Sequence, residues 1–376
     1  MNIVQVIPSF NVGGGELLAV RLCAEIKKQK PDYTVTLVSL YDPIPTIVYD
    51  EALSSGARIV TLGKKKGFDP YTPLRVFKAL RAIKPDVIHT HLAGLRYTLL
   101  AATLCSNSQK IHTVHNMASH ETFGFLKHVH RFAFRYLSWT PIALSREVQD
   151  SIRDVHGLKA PIVNNGIGLN SRILNRNRDD IRKELQLPLD HHIIISIGRL
   201  CIQKNQALLI DAFYDLSKED EKFTLLIVGD DTSGGSYKKM LEEKVLALPE
   251  AVSRNVHFLG PRKDIPELLA ASDIFVLSSD WEGVPLTLLE AMGYGTPAVC
   301  TSVGGIPDVI DHGVNGILVP KGDSIGLAKV LNEISVNKSY SSVLALNALE
   351  KFKKLYSIEK TAQGYLTIYT SPENRI

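Results

Sequence analysis

The chain has only four cysteines in 376 residues, Cys23, Cys105, Cys201 and Cys300, and no two stand at a metal-binding or redox spacing. Their scatter argues against a disulfide scaffold or a zinc module and for reduced thiols in a cytoplasm. No run approaches the ~18 apolar residues that a membrane-spanning helix needs, so the expectation is a soluble or peripheral protein. The opening MNIVQVIPSF lacks a basic segment and its apolar run is short, so it reads as a core strand rather than a secretory signal. There is no Asp-x-Asp pair, low-complexity tract, coiled coil or internal repeat. The glycine cluster Gly13, Gly14, Gly15 is followed by Leu18 where a dinucleotide fingerprint needs its third glycine. That counts against an NAD-dependent oxidoreductase.

What is present describes an ordinary globular protein, with 45% hydrophobic and 22% charged residues. The length favours two domains over one. Charge is uneven: residues 1–170 hold 20 Lys and Arg against 12 Asp and Glu, and the remainder holds 23 against 27. A basic first half is either an ordinary surface or one suited to anionic lipid head groups or a pyrophosphate-bearing acceptor.

Strand-like runs alternate with helical patterns throughout, which predicts parallel sheets built from βαβ units. Expected strands are Ile3–Ile7, Val35–Leu40, Asp86–His91 and Lys110–His115 in the first half. Those of the second are Ile193–Gly198, Thr224–Gly229, Val256–Gly260, Asp273–Ser279 and Pro297–Thr301. Ligands of such sheets bind beyond the carboxyl ends of the strands, where every motif below falls.

The segment Glu282–Val299, EGVPLTLLEAMGYGTPAV, follows the expected strand Asp273–Ser279. Pro285 suits the first helical position, which leaves the N–H groups of Leu286 and Thr287 facing whatever sits at the helix start. Helix starts favour phosphates. Glu282 and Glu290 could accept hydrogen bonds from sugar hydroxyls on either side, or be a helix-start acid and a solvated helix face. Arg199 and Lys204, in GRLCIQK, could clamp a diphosphate or be surface cations near a helix end. Gly13–Gly15 allow close backbone approach, or form a plain turn. His115 ends one expected strand, and His89 and His91 end its neighbour. A zinc site there is disfavoured, because no acid or cysteine stands at ligand spacing. Phe123–Trp139 is basic and aromatic, with Lys127, Arg131 and Arg135 on one stripe and Phe125, Val129 and Phe132 on another face. It is either a membrane-contact helix or one packed on the sheet. The Lys64–Lys66 run reads as a solvated loop.

Six motifs in this order resemble the retaining GT-B glycosyltransferases, family 4 in particular. They are GGGE (Gly13–Glu16), TVHN (Thr113–Asn116), NNGI (Asn164–Ile167), SIGRLCIQKNQ (Ser196–Gln206), IVGDD (Ile227–Asp231) and VGGIPDVIDHGVNGILV (Val303–Val319). The two glutamates of Glu282–Val299 match the family's Glu-x7-Glu pattern. The resemblance implies an α/β GT-B fold of two facing Rossmann-like domains with a cleft between them. Residues 1–168 would form the acceptor-side domain, with the last helix (357–376) returning to it, and 169–356 the nucleotide-sugar domain.

The resemblance also implies roles. Arg199 and Lys204 would hold the donor diphosphate and stabilise its charge as it leaves, Glu282 would contact the donor sugar, and Glu290 the ribose. His115 would touch the donor sugar or lie near the reaction centre. Gly14, Gly15, Gly283, Val284, Leu286 and Thr287 would border the donor. The family often has Phe-Gly where this chain has Val284 and Pro285, so one backbone donor to the phosphate is missing or moved. The implied reaction moves a hexose or N-acetylhexosamine from a nucleotide diphosphate sugar, most commonly a UDP-sugar, to a glycan or lipid-linked glycan, with retention and with no cofactor or metal. The implied context is bacterial surface polysaccharide or lipopolysaccharide assembly, in the cytoplasm or on the inner membrane face, with no nucleic acid partner. Alternatives are a GT-B epimerase or phosphorylase-like enzyme, and a non-catalytic sugar-nucleotide binder.

Overall fold

The computed structural model describes residues 1–371 except 68, 106, 123, 171, 172, 174, 175, 219–221, 232 and 233. The chain divides into two compact units, Met1–Gly168 with the segment from Leu355 onward, and Leu169–Lys354. Each has its own parallel six-stranded sheet.

In the first unit the strands are β1 (Asn2–Ile7), β2 (Thr34–Ser39), β3 (Arg58–Thr61), β4 (Val87–His91), β5 (Gln109–Val114) and β6 (Trp139–Ala143). Their spatial order is β3-β2-β1-β4-β5-β6. In the second unit they are β7 (His192–Ile197), β8 (Phe223–Val228), β9 (Val256–Gly260), β10 (Ile274–Leu277), β11 (Ala298–Thr301) and β12 (Ile317–Val319), ordered β12-β11-β10-β7-β8-β9. Both are the doubly wound arrangement in which the first and fourth strands are neighbours and the winding reverses between them. The reversal leaves a crevice at the carboxyl ends of β1 and β4 in one unit and of β7 and β10 in the other.

The central strands are runs such as IVQVI and IIISI because helices cover both faces and nothing on them meets water. The core of the first unit joins Ile3 and Ile7 of β1 to Leu22 and Ile26 of the helix Gly14–Gln29. The last helix, Ile358–Thr370, adds Ala362, Tyr365, Leu366 and Tyr369 to that same core. Its start is set by Ser357, whose hydroxyl accepts from the N–H of Lys360 at 3.4 Å. The second core gathers Ile194, Phe213, Leu225, Val276 and Leu331.

Three strands lie outside the sequence expectation: β3, β6 and β12. All three are sheet edges. Pro141 sits inside β6, where only an edge strand tolerates the missing N–H. The basic stretch Phe123–Trp139 is therefore not one element: its helix is Phe125–Tyr136, and Trp139 opens β6 with 2% exposure. Phe123 lies outside the described residues. The face assignment also changes, because His130, Ala133 and Phe134 point inward whereas Phe125 and Phe132 are exposed.

Lys64 is likewise not solvated. Its ammonium donates to Tyr41 Oη at 2.9 Å and to the carbonyls of Lys65 and Gly67, and lies over the rings of Tyr41 and Tyr97. No helix among the described residues is long and apolar enough to cross a membrane.

Candidate functional site

In the second unit the chain leaves β7 through Gly198 and Arg199, makes a short turn at Ile202–Lys204, and enters the helix Gln206–Ser217. Asn205 makes this entry possible. Its backbone is left-handed (φ 46°), which asparagine tolerates better than most residues, and its side chain caps the helix by accepting from the N–H of Leu208. The turn throws Lys204 back toward β10. There its ammonium pairs with Glu282 Oε1, which also accepts from Ser279 Oγ at 2.6 Å. The two side chains are 14% and 6% exposed, so the pair is largely shielded from water. Arg199 is exposed, and its guanidinium donates to Gln203 Oε1 at 3.2 Å. Gln203 in turn donates to the carbonyl of Trp281 at 2.9 Å. Arg199, Lys204 and Glu282 are thus brought together at the β7/β10 crevice.

The Glu282 loop is held from beneath by a glycine pair. Gly304 has φ +53°, and a Cβ there would stand 1.7 Å from the carbonyl oxygen of Glu282. A Cβ on Gly305 would stand 2.9 Å from that of Gly283. Gly283 itself faces open space on its Cβ side. The helix Leu286–Gly293 follows, with Pro285 as its N-cap residue in an extended conformation rather than as its first helical residue. Leu286 and Thr287 are the first-turn residues whose N–H groups have no intrahelical acceptor. Glu290 is four and three residues beyond them, on the same side of the helix, and half-buried. Val284 is half-buried in the same loop.

The first unit carries the other expected residues. Gly13 caps the helix Gly14–Gln29, so Gly14 and Gly15 form its first turn and not a loop. Gly14 is exposed, but the space a Gly15 side chain would need is filled by Leu92, at 3.0 Å. Glu16 in the same turn is buried, and burial raises its carboxyl above the usual range despite a backbone hydrogen bond.

His115 follows β5 and is half-buried. Its Nε2 lies 2.9 Å from His91 Nδ1, and its main-chain N–H donates to Glu121 Oε2 at 3.0 Å. Burial pushes the His115 imidazole down to about 4, against the opposing pull of Glu121. His89 and His91 are fully buried and held neutral in the same way. Among the described residues no group of three His, Cys, Asp or Glu side chains could hold a metal ion.

The sequence reading missed Ser279, Gly304, Gly305 and Glu121. The double glycine of VGGIPDV was a usable signal for the support of the Glu282 loop. Nothing local announces that Glu121 reaches back to His115.

The family described as Glycosyl transferases group 1 matches residues 177–351, and Glycosyltransferase Family 4 matches residues 12–171. A curated relative is the UDP-Gal:alpha-D-GlcNAc-diphosphoundecaprenol alpha-1,3-galactosyltransferase of Escherichia coli, 24% identical over 79% of this chain and 78% of that protein. The N-acetyl-alpha-D-glucosaminyl L-malate synthase of Bacillus anthracis is 33% identical over 52% of this chain, and the match spans 49% of that protein. The fold is that of Anabaena Alr3699/HepE, solved in complex with UDP, with a TM-score of 0.81 and 23% identity over 98% of this chain and 99% of that one. With both halves matched in order on two doubly wound sheets, the chain belongs to the GT-B glycosyltransferases of family 4.

Proposed function

We propose that the protein transfers a hexose or N-acetylhexosamine from a nucleotide diphosphate sugar, with UDP as the nucleotide, to a glycan or lipid-linked glycan acceptor, with retention of configuration. The observation that carries this reading is the arrangement of Arg199, Lys204 and Glu282 at the β7/β10 crevice, beside the helix that bears Glu290. The choice of UDP is supported by the Escherichia coli relative, named for UDP-Gal, and by the Anabaena structures with UDP and UDP-glucose.

In this reading Arg199 and Lys204 hold the diphosphate and stabilise the charge that grows on it as the sugar leaves. Such stabilisation is often the largest catalytic contribution. The first-turn N–H groups of Leu286 and Thr287 add the positive end of a helix dipole. Glu290 accepts from the ribose hydroxyls. Glu282 accepts from hydroxyls of the donor sugar, His115 of the first unit is assigned a sugar hydroxyl on its own account, and the departing diphosphate takes the acceptor's proton. Gly283 and Val284 border the donor with main-chain atoms. Lys204 and Glu282 are paired to each other before a donor arrives, so donor binding draws Lys204 partly away and frees an acceptor oxygen on Glu282 for the sugar. Glu282 and Glu290 are not the acid and nucleophile of a glycosidase, and neither a metal nor a cofactor is part of the proposed chemistry. A role in surface polysaccharide or lipopolysaccharide assembly, on the cytoplasmic side of a membrane, is part of the same proposal. It draws on relatives named for teichuronic acid and lipopolysaccharide core biosynthesis.

The test is release of UDP from a panel of UDP-sugars in the presence of glycan acceptors, for the wild type and for Lys204→Ala and Glu290→Ala. Lys204→Ala is expected to abolish turnover and Glu290→Ala to weaken nucleotide binding. Full activity in both variants rejects the assignment, and product formed without any acceptor favours an epimerase.

A further inference from the structure

Behind His115 a chain of buried polar side chains runs through the first unit, and its hydrogen-bond polarity can be followed atom by atom. It begins at Gln5 in the middle of β1, which is fully buried. Gln5 Nε2 donates to Tyr369 Oη at 2.9 Å, and Gln5 Oε1 lies 2.7 Å from His91 Nε2. An amide oxygen only accepts, so His91 Nε2 carries the hydrogen. A neutral imidazole has one N–H, so His91 Nδ1 is an acceptor. Its partner at 2.9 Å is His115 Nε2, which therefore donates. The remaining nitrogen of the half-buried ring, His115 Nδ1, is left with a lone pair and hydrogen-bonds to no described residue.

We propose that Gln5 and His91 are positioning residues that fix His115 as the Nε2–H tautomer, so that its Nδ1 presents an acceptor to a hydroxyl of the bound sugar substrate. The proposal rests on the reading that His115 belongs to the reaction site. It assigns that site a requirement for a hydroxyl donor, and a substrate with a methyl ether or a deoxy carbon at that position would lose the contact.

The surroundings hold the relay neutral. His91 is fully buried against His89, with ring centroids 4.2 Å apart. His89 is fixed by Tyr369 Oη at 2.7 Å on one nitrogen and Thr113 Oγ1 at 2.7 Å on the other, and Thr113 is bonded in turn to Tyr365 Oη. Both tyrosines come from the last helix, so the C-terminal segment anchors the far end of the relay. The charged or titratable groups facing His115 are Glu121 from the following helix, His112 on β5, and His89 and His91 on β4. Glu121 alone favours an imidazolium. Its carboxylate is already engaged by the His115 main-chain N–H and, at 3.1 Å, by His112 Nε2. Burial and the neighbouring imidazoles prevail, and Nδ1 stays an acceptor through the neutral range.

The decisive experiment is long-range 15N–1H NMR on the full ligand-free chain labelled at histidine nitrogens, with His115 assigned by loss of its signals in His115→Asn. The expected spectrum has the Nε2 of His115 protonated, Nδ1 bare, and no titration of the ring between pH 5 and 8. A proton on Nδ1, or a ring that titrates near 6.5, overturns the relay. His91→Leu is expected to mix the His115 tautomers and to lower kcat about tenfold with little change in KM. That is the size typical of removing the group that orients a functional histidine. His91→Gln, whose amide oxygen can still accept from Nε2–H, is expected to restore most of the rate. An unchanged His115 tautomer in folded His91→Leu overturns the positioning role. Full turnover in His115→Asn, with the wild-type spectrum as expected, instead rejects the placement of His115 in the site and leaves the relay standing.

Discussion

Gly304 shows how little room the Glu282 loop has at the scale of one residue. Its φ of +53° is costly for other residues, and its Cβ position lies 1.7 Å from the Glu282 carbonyl. Gly304→Ala must therefore push away the loop that carries Glu282. The expected result is a loss of about 1–3 kcal/mol in urea denaturation together with a fall in turnover that exceeds the loss of folded protein. The histidines of the first unit make a second prediction. His115 and His156 are held down to about 4 and His130 to about 3, each chiefly by burial. In the unfolded chain they titrate near 6.5. The unfolded state therefore binds more protons as pH falls through 6.5, and stability drops with it. The drop is expected to begin near pH 6.5 and to continue below pH 4, because the His130 imidazole stays neutral down to about 3, and denaturant midpoints against pH would measure it. Some of this was legible in the residues. Arg199, Lys204, Glu282 and Glu290 stand at fixed offsets after strands, and local chemistry alone suggests a phosphate. Lys64 was not legible, because its partners Tyr41 and Tyr97 are far away in sequence and three lysines in a row look solvated.

At the scale of elements, one edge strand, β9, was readable from VHFLG, and so were all the strands of the sheet interiors. Their both-faces burial writes a continuous apolar run into the sequence. The three that were missed, β3, β6 and β12, are edges: short and, in β3, partly exposed, so the run is broken. The helix Phe125–Tyr136 was visible by its cation spacing, but its inward face was not. A histidine, an alanine and one phenylalanine fill that face, and Phe125, Phe132 and Tyr136 stay outside. Phe125 at 79%, Phe132 at 53% and Tyr136 at 69% exposure share the surface with Lys127, Arg131 and Arg135. We propose that this face contacts an anionic membrane, since basic side chains and interfacial aromatics are the two contributions such contact uses. Sedimentation with anionic vesicles is expected to deplete the wild type and to leave a Phe125→Ser/Phe132→Ser variant in solution. Equal retention of both would remove the helix from that role.

At the scale of the whole molecule, the chain crosses out of the first unit at Leu169 and comes back at Leu355. The returning helix supplies Tyr365 and Tyr369, among the largest fully buried side chains of the protein. Ending the chain before Ile358 is therefore expected to unfold the first unit and spare the second, and limited proteolysis should leave a protected fragment close to residues 169–354. Resistance of the first unit to digestion would contradict this. The two-sheet architecture was legible because the βα alternation repeats along the chain. The reach of the last helix was legible only through likeness to the family, since nothing in its own pattern says which core it joins.

The central claim is that the β7/β10 crevice holds a nucleotide diphosphate. Calorimetric titration of wild-type protein and of Glu290→Ala with UDP, GDP, ADP and CMP, with and without magnesium, tests it most directly. The expected result is clear binding of UDP by the wild type in the absence of magnesium, weakened by at least tenfold in Glu290→Ala, as the loss of about 1.4 kcal/mol or more from a charge-assisted hydrogen bond implies. Binding of no nucleotide, or equal affinity in the two proteins, would contradict the assignment of this site.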